Sequence, residues 1–345
     1  MSTQQQDHNN EHKYDALALF SGGLDSILAV KLIQQQNLRV LALHFFSPFF
    51  GKPHKIQEWE KEYGFEILPI DVGEEFIKIV KNPKHGHGSY LNPCIDCKIL
   101  MIKKAKELLP LFNAKFIITG EVIGQRPMSQ RKDTMNLIKK EAGVEDLLLR
   151  PLCAKNLPPT QIEKENIVDR SKLLDLRGRS RKRQLEIAKK FNIKKIPTPA
   201  GGCLLTDPEM ANRFKKVLAN IKDPSVYDFE ICKIGRHFWS NKNWLIIGRN
   251  HKENLLITKM VREIDIVLKL SQIPGPIGLI RAHKTKTLSP NLIYYASQLI
   301  IKYSKAKSMR RAVKIQIATL DVVKEQEVIP ELNTLLDKNP WIGPI

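Results

Sequence analysis

A six-residue stretch near the start of the chain, Ser21-Gly22-Gly23-Leu24-Asp25-Ser26, combines residue types that bind anions. An apolar run of strand length precedes it at 14–20, and an apolar run suited to a buried helix follows at 27–33. A glycine-rich turn between a strand and a helix lets backbone N–H groups approach a phosphate, and the helix N-terminus adds its positive dipole end. The serines can add hydroxyl donors. We therefore expect a phosphate-binding loop here.

Asp25 is the unusual member of this stretch, because a carboxylate repels a phosphate unless it orients a magnesium ion or the loop itself. The stretch is not the Walker loop, which carries a lysine directly after its second glycine. An ordinary glycine-rich turn before a helix is the alternative interpretation. The position between a predicted strand and a predicted helix favours a nucleotide site in which Asp25 orients either Mg²⁺ or the loop itself.

Three of the five cysteines lie in segments that suggest a chemical role. Cys94 and Cys97 form a CxxC that is expected to open a helix, where the helix dipole and nearby Lys98 would stabilise a thiolate. Cys203 follows the Pro-Ala-Gly-Gly segment 199–202, whose glycines permit its sulfur to approach another group closely. The remaining cysteines have apolar neighbours in the sequence and are expected to be inert core residues: Cys153 and Cys232.

The residues alone leave three interpretations of these cysteines open. They are separate residues with no joint role, or they bind zinc together with a further ligand such as His85 or His87. The third interpretation is a sulfur-handling site, which is either a three-cysteine iron–sulfur cluster with one open iron or a thiolate/persulfide pair.

A dense basic run at residues 177–183 leads into a predicted helix that ends near Phe191. A solvated, charged helix face is the usual state of such residues. The density of the run and its position before the loop at 199–203 favour contacts with the phosphates of a nucleic acid. The candidate contact residues are Arg177, Arg179, Arg181, Lys182 and Arg183, joined further along the chain by Arg236 and Arg249.

Short apolar runs alternate with amphipathic ones from residue 14 to about 150, and these elements must position the candidate residues. Strands are predicted at 14–20, 40–46, 65–70 and 115–120, and helices at 24–36, 53–64, 97–109 and 128–142. This alternation predicts an α/β fold, a parallel sheet with helices on both faces. Such sheets bind ligands at the carboxyl ends of their strands, where the phosphate loop, His44 and Gly120 all lie.

The pattern of apolar and polar residues changes near 218–226, where we expect a domain boundary. A β-hairpin is predicted beyond it, from the segments 231–239 and 244–247. The expected organisation is a disordered tail at 1–13, an α/β domain at 14–220 and a smaller α+β domain at 226–345.

The charge balance is strongly basic, since 56 Lys and Arg face 36 Asp and Glu and give a formal net charge of +20. Such an excess indicates a polyanionic partner, RNA or DNA, or less often an acidic membrane surface. The length of 345 residues predicts two domains. No apolar run predicts a membrane span, and the polar N-terminus resembles neither a signal nor a transit peptide. We therefore expect a cytoplasmic protein whose cysteines form no disulfide framework.

The loop at 21–26 matches the SGGxDS signature of the PP-loop ATP pyrophosphatases, and the chain resembles that superfamily. The Asn92-Pro93-Cys94 segment of the CxxC is similar to the tRNA 2-thiouridylases. The segment 119–125, Thr-Gly-Glu-Val-Ile-Gly-Gln, with Ser129-Gln130 after it, is closer to the tRNA 4-thiouridine synthetases. Together with Cys203 these motifs look like those of the tRNA thiouridylases.

The resemblance covers about residues 14–215. The region after about residue 225 instead resembles the NFACT-type RNA-binding domain, on the segments 234–238, 248–250 and 253–254 and on the Pro-Gly-Pro turn at 274–276. The THUMP-like domain and the rhodanese tail of 4-thiouridine synthetases are not found, so the resemblance does not identify the target uridine.

The resemblance implies that the enzyme transfers AMP from ATP to a uridine carbonyl oxygen, while the loop and Mg²⁺ hold the leaving pyrophosphate. Sulfur then displaces AMP. A persulfide on Cys203 resolved by Cys94 could deliver it, or Cys94, Cys97 and Cys203 could ligate a [4Fe–4S] cluster that carries an exogenous sulfide; three cysteines rather than two favour the cluster. The expected ATP-binding residues are Ser21, Gly22, Gly23, Asp25, Ser26, His44, Gly120 and Gln125, and the expected catalytic residues are Asp25, Cys94 and Cys203.

The expected partners are tRNA and a sulfur donor, which is a cysteine desulfurase, a sulfur carrier or free sulfide. Two other functions compete with a thiouridylase. One is another PP-loop reaction, an adenylation or amidation, which would leave the basic surplus and the three cysteines without a role. The other is a non-catalytic RNA-binding protein that uses the nucleotide as a switch.

Overall fold

The computed structural model describes residues 14–198, 202–282, 288–319, 321–331 and 339–343. The chain divides into two compact units, Met1–Asp207 and Pro208–Ile345. The predicted tail at 1–13 lies outside the described residues, as do Pro199, Ala200 and Gly201 before Cys203. The predicted boundary at 218–226 lies further along the chain than the division at Asp207.

Five parallel strands form the sheet of the first unit, in the order β3-β2-β1-β4-β5. Parallel strands covered on both faces read as nearly continuous apolar runs, and β1, β2 and β4 do so. Their bounds are Ala16–Leu19 (β1), Val40–Phe46 (β2), Ile67–Asp71 (β3), Phe116–Thr119 (β4) and Leu148–Leu149 (β5). The four predicted strands are present, and β5 adds a short edge strand that periodicity did not reveal.

Both faces of this sheet are buried. Along β1, Ala16 and Ala18 pack in one core cluster with Ile27 of the first helix. Leu17 and Leu19 alternate with them, point to the opposite face and are also buried. This arrangement confirms the predicted α/β fold with helices on both sides.

The helices of the first unit follow the predicted positions with shifted ends. The CxxC opens its helix at Cys94, and the helix predicted at 128–142 begins only at Lys132. Helix α3 lies outside the predicted helices. The bounds are Leu24–Gln34 (α1), Ile56–Tyr63 (α2), Gly73–Lys81 (α3), Cys94–Leu108 (α4), Lys132–Glu141 (α5), Gln161–Lys164 (α6) and Lys182–Lys190 (α7).

The second unit contains a six-stranded sheet in the order β11-β10-β8-β9-β7-β6, whose described pairings are all antiparallel. The strands are Arg236–Ser240 (β6), Asn243–Ile247 (β7), Ile266–Leu270 (β8), Gly278–Arg281 (β9), Val313–Ala318 (β10) and Val323–Val328 (β11). The helices are Pro208–Asn220 (α8), Val226–Ile231 (α9), His251–Lys259 (α10) and Pro290–Lys302 (α11). The expected α+β character of this part of the chain is therefore confirmed.

The predicted hairpin is present, with one correction. Asn241 and Lys242 have positive φ angles of 45° and 70°, which suits the two-residue turns that join antiparallel strands. The strand predicted from residue 231 begins only at Arg236. Ser225 and Asp228 form a capping box that starts helix α9 ahead of it, so a helix occupies part of the preceding segment.

A buried ion cluster holds the second unit together. The Arg281 guanidinium donates to Asp228 at 2.8 Å and to Asp265 at 3.1 Å. Burial would raise the pKa of Asp228, but the hydrogen bonds from Ser225 and the charges of Arg262 and Arg281 hold that pKa below its usual value. None of the helices in the described part of the chain is long and apolar enough to span a membrane.

Arg281→Met is expected to lower the free energy of unfolding by about 3–5 kcal/mol, because it leaves the buried Asp265 without its cation and Asp228 with Arg262 alone. The measurement is chemical denaturation followed by circular dichroism. Lys269→Met, an exposed change on β8, is the matched control and should alter stability by less than about 0.5 kcal/mol. Equal losses in the free energy of unfolding from the two changes would contradict the proposed contribution of the buried cluster to stability.

Candidate functional site

The phosphate loop joins β1 to α1 and is held in shape from within. The Ser26 hydroxyl donates to the Gly23 carbonyl at 2.7 Å and accepts from the Ser21 N–H at 3.3 Å. Gly22 has φ +75°, and a Cβ there would come within 2.6 Å of the Trp59 indole. This position therefore requires glycine for both its backbone angle and the lack of space.

Asp25 sits in the first turn of α1 with its carboxylate held from two other elements. Gln125 donates to Oδ2 at 2.8 Å, and the buried Gln184 of α7 also approaches the carboxylate. Burial raises the pKa of Asp25, and Gln125, Arg181 and Arg126 oppose that rise. Within the described residues, the buried Oδ1 atom has no hydrogen-bond partner. A free carboxylate oxygen beside a phosphate loop is a ligand type that Mg²⁺ prefers, so the residues fit the expected ion.

His44 lies beside the loop, at the carboxyl end of β2, with both ring nitrogens engaged. Nε2 accepts from the Lys52 backbone N–H at 2.8 Å, so Nδ1 carries the proton and donates to the Phe20 carbonyl at 3.0 Å. Burial lowers the pKa of His44, which agrees with a neutral ring. The ring packs edge-on against Trp59. His44 therefore braces the loop, and neither ring nitrogen is free to bind the expected ATP.

A segment that we call the bridging loop, residues 120–130, follows β4 and touches the phosphate loop directly. A Cβ on Gly120 would lie 2.5 Å from the Asp25 carbonyl oxygen, so the two backbones are in contact. The bridging loop folds back through a 2.7 Å hydrogen bond from the Gly124 N–H to the Gln130 carbonyl. Within the described residues, the buried Oε1 atoms of Gln125 and Gln130 lack partners. Gln130 was not among the predicted ATP ligands, although it belongs to the same motif.

A buried ion pair supports the start of the bridging loop. Arg150, after β5, donates to Glu121 at 2.9 Å, and Thr119 donates to the same carboxylate oxygen at 2.8 Å. Burial would raise the pKa of Glu121, but Arg150 and Lys98 hold it below the usual value. No pattern in the sequence indicates this pair, because the two residues belong to different elements.

The structure brings the three predicted cysteines together. Cys94 is the first residue of α4, and the Asn92 side-chain amide donates to its sulfur at 3.2 Å. Cys97 lies one turn further along the helix and interacts electrostatically with both Cys94 and Cys203. The loop that carries Cys203 is fixed by a 2.8 Å hydrogen bond from the Leu204 N–H to the Phe49 carbonyl.

Burial dominates the acidity of the Cys97 and Cys203 thiols. It raises the pKa of Cys97 far above its usual range and the pKa of Cys203 to about 11. A stabilised thiolate was expected in the CxxC; at Cys97, desolvation of the charged form outweighs the charge of Lys98, so the expectation does not hold at this residue. Cys153 and Cys232 are buried, and burial raises the pKa of each to about 12, which agrees with inert core residues.

The histidines considered as zinc ligands have other partners. Both ring nitrogens of His85 lie 3.0 Å from carboxylates, Nδ1 from Asp96 and Nε2 from Glu141. The Nε2 atom of His87 lies 2.9 Å from the Val80 carbonyl. In the part of the chain that the structure describes, no three His, Cys, Asp or Glu side chains are grouped to hold a metal ion. The residues as they stand thus form neither a preassembled zinc site nor a preassembled cluster site.

The basic run is divided between the candidate nucleotide site and the surface. The backbone of Arg177, at the start of the run, forms an isolated β-bridge with Ile123 of the bridging loop. Arg181 directly precedes α7, and its charge acts on Asp25. Arg183 is exposed and pairs with Asp175 at 2.7 Å. The other predicted RNA contacts of the run are exposed: Arg177, Arg179 and Lys182.

The predicted RNA contacts of the second unit have partners of their own. The Arg236 guanidinium lies over the Tyr303 ring at 4.4 Å. Arg249 forms a two-pronged ion pair with Glu253, at 2.6 and 2.9 Å, which offsets part of its charge. The aromatic side chains near these arginines pack in the interior rather than on the surface: Phe238, Trp239 and Trp244.

Comparison with known proteins identifies the class of the first unit. Residues 12–198 match the family model described as thiamine biosynthesis protein (ThiI), and residues 235–335 match the model of the NFACT protein RNA binding domain. The first match spans more than half of the chain, so the chain belongs to the ThiI family. Both resemblances read from the motifs are thereby confirmed.

Curated relatives carry the name probable tRNA sulfurtransferase. The protein from Thermococcus kodakarensis is 29% identical over 164 residues, which cover 45% of this chain and 39% of that protein. The protein from Brevibacillus brevis is 27% identical over 212 residues, 59% of this chain and 47% of that protein. The chain thus spans less than half the length of these relatives. The structure of NMN synthetase from Francisella tularensis matches 55% of this chain and 68% of that chain, at 17% identity and a TM-score of 0.34, too low to establish a shared fold.

Alkylation by iodoacetamide should report the raised pKa of Cys203. Only the thiolate reacts, so with a pKa of about 11 the rate should rise about tenfold per pH unit from pH 8 to 10. Peptide mass spectrometry measures the rate at this cysteine alone. In denaturant, the alkylation rate of the same cysteine should stop rising once the pH passes its ordinary pKa of about 8.5. A plateau near pH 9 in the folded protein would contradict the burial of this thiol.

Proposed function

We propose that the chain is an ATP-dependent tRNA thiouridylase, which adenylates a uridine carbonyl oxygen and replaces that oxygen with sulfur. One observation carries the proposal: the bridging loop contacts both halves of the expected chemistry. Gln125 donates to Asp25 in the phosphate loop, and Met128 contacts the amide of Asn92, which donates to Cys94. Activation by ATP and delivery of sulfur therefore have a common scaffold.

In the activation step, the uridine oxygen attacks the α-phosphorus, and the bond from that phosphorus to the pyrophosphate oxygen breaks. The loop serines and backbone N–H groups bind the pyrophosphate as its charge develops. Bound Mg²⁺, held through Asp25, would neutralise part of that charge. The product is a uridine whose carbonyl oxygen has become the leaving group AMP.

In the sulfur step, the terminal sulfur of a persulfide on Cys203 attacks the activated carbon, and AMP leaves with the oxygen. Uridine is then joined to Cys203 through a disulfide. The Cys94 thiolate attacks the Cys203 sulfur, which releases thiouridine and leaves a Cys94–Cys203 disulfide that an external thiol must reduce. The electrostatic interaction of the two sulfurs supports this pairing, and the Asn92 amide supports charge on Cys94.

The charge of the chain and the match to an RNA-binding domain support tRNA as the substrate. The names of the relatives agree with that substrate. The persulfide route implies a donor protein that carries sulfane sulfur, such as a cysteine desulfurase or a sulfur carrier. The [4Fe–4S] route would use free sulfide and the same three cysteines.

Asp25→Ala and Ser26→Ala are each expected to abolish tRNA-stimulated release of pyrophosphate, because the first removes the expected Mg²⁺ ligand and the second the hydrogen bonds that shape the loop. Both should leave tRNA affinity within about twofold of the wild type. Asp133→Ala, an exposed carboxylate paired with Arg131, is the control and should release pyrophosphate at the normal rate. Wild-type rates in both loop variants would refute the ATP assignment.

Cys203→Ser and Cys94→Ser should retain pyrophosphate release and lose thiouridine in tRNA, measured by nucleoside mass spectrometry. Cys153→Ser, a change at a buried cysteine outside the trio, serves as control and should retain both steps. The persulfide route predicts protein that is colourless and free of iron when purified without oxygen. Iron that is lost on changing any one of Cys94, Cys97 or Cys203 would instead establish the cluster route.

A further inference from the structure

Two arginines from different elements flank the carboxylate of Asp25. Arg126 belongs to the bridging loop and directly follows Gln125, whose amide is 2.8 Å from Asp25. Arg181 stands three residues before Gln184, the second side chain that approaches this carboxylate. Each arginine therefore lies within three residues of a glutamine whose side chain approaches Asp25.

Helix α7 fixes the position of Arg181. Its Ala188 packs in a core cluster with Leu24 and Leu28 of α1, the helix that begins at the phosphate loop. Gln184 is only 1% exposed, so the α7 face that carries it is turned inward. The guanidinium of Arg181 donates to the Pro197 carbonyl at 3.4 Å. Arg181 is therefore only partly exposed, unlike its neighbours in the basic run.

The bridging loop fixes the backbone of Arg126 and leaves its side chain exposed. The Arg126 carbonyl accepts from the Gln130 N–H at 3.2 Å. Its charge acts on Asp25 and also on Cys97 and Cys203. The charge of this one side chain therefore reaches both the phosphate loop and the cysteines.

The charges of these two arginines are not offset by ion pairs. Within the described residues, neither forms a salt bridge, whereas Arg183 pairs with Asp175 and Arg131 with Asp133. Two cations against one half-buried carboxylate leave a net positive charge at the loop. Guanidinium groups bind phosphate oxygens with two parallel hydrogen bonds, so the arrangement suits a phosphate chain better than a single carboxylate.

We propose that Arg126 and Arg181 form a clamp on the β- and γ-phosphates of ATP and hold the pyrophosphate as it leaves. This inference rests on the proposed function, because it takes the ligand of the loop to be ATP. It assigns Arg181 to the nucleotide and separates it from the rest of the basic run, which remains available to RNA. A clamp on the outer phosphates makes no contact with AMP.

The experiment measures binding of Mg·ATP, Mg·pyrophosphate and AMP to the full chain by isothermal titration calorimetry. Arg181→Gln and Arg126→Gln should each raise the Kd for ATP and pyrophosphate about tenfold to a hundredfold, the range for losing a hydrogen bond to a charged group. The Kd for AMP should stay within twofold. Equal thermal unfolding temperatures establish that the variants are folded, and Arg126, whose side chain is exposed, can be changed without touching the core.

Two matched controls locate the effect. Arg179→Gln, two residues before Arg181, and Arg131→Gln, five residues after Arg126, should leave all three Kd values unchanged. The clamp would be overturned if Arg181→Gln and Arg126→Gln bind ATP with unchanged affinity and bind tRNA more weakly, as Arg179→Gln does. Both arginines would then belong to the RNA-binding surface. If the wild-type chain binds neither ATP nor pyrophosphate, the proposed function fails together with the clamp.

Discussion

The contact between the backbones of Gly120 and Asp25 is the constraint on which the candidate site depends. Strands β1 and β4 are neighbours in a parallel sheet, so the segments that follow them leave the sheet side by side. A side chain at residue 120 would overlap the Asp25 carbonyl at 2.5 Å and push the segments apart. Because glycine stands there, Gln125 reaches Asp25 and the bridging loop continues to the cysteines.

Burial raises pKa values at both ends of this scaffold, and different groups oppose it at each end. It raises the pKa of Asp25 against the Gln125 amide and the charges of Arg181 and Arg126, which favour the carboxylate. It also raises the pKa of Cys203 to about 11, although the backbone N–H groups of Leu205 and Thr206 and the charge of Arg126 favour the thiolate. Cys97 and Cys203 are therefore protonated near neutral pH. A thiol becomes nucleophilic only as its thiolate, so charge at the sulfur end has to be stabilised when the substrate is in place.

Local signals in the sequence were sufficient for much of this architecture. The apolar runs around SGGLDS predicted β1 and α1, because both elements are buried and their residues are contiguous. The CxxC predicted a helix start, although the helix begins at Cys94 itself. The strand predicted from residue 231 begins only at Arg236, since the capping box at Ser225 and Asp228 starts a helix that reaches Ile231. Sequence patterns therefore predicted the features that depend on the residues of a single helix or strand.

Features that arise between elements could not be read from the sequence. Glu121 and Arg150 are 29 positions apart and meet only because β4 and β5 are adjacent. The high pKa of Cys97 is another such feature. The helix dipole and Lys98 are local, and the desolvation that outweighs them comes from the tertiary packing around the sulfur.

The basic run shows why charge density alone does not define a surface. Residues three apart on a helix share a face, so the inward-turned Gln184 brings Arg181, at the start of α7, toward the phosphate loop. Lys182 and Arg183 lie at other angles around the helix and are exposed. Neighbouring cations thus face different partners, because the helical period and the packing of Ala188 on α1 orient each of them. The basic run looks like one patch in the sequence. In the fold, Arg181 is directed toward the candidate nucleotide site, and the neighbouring cations are exposed.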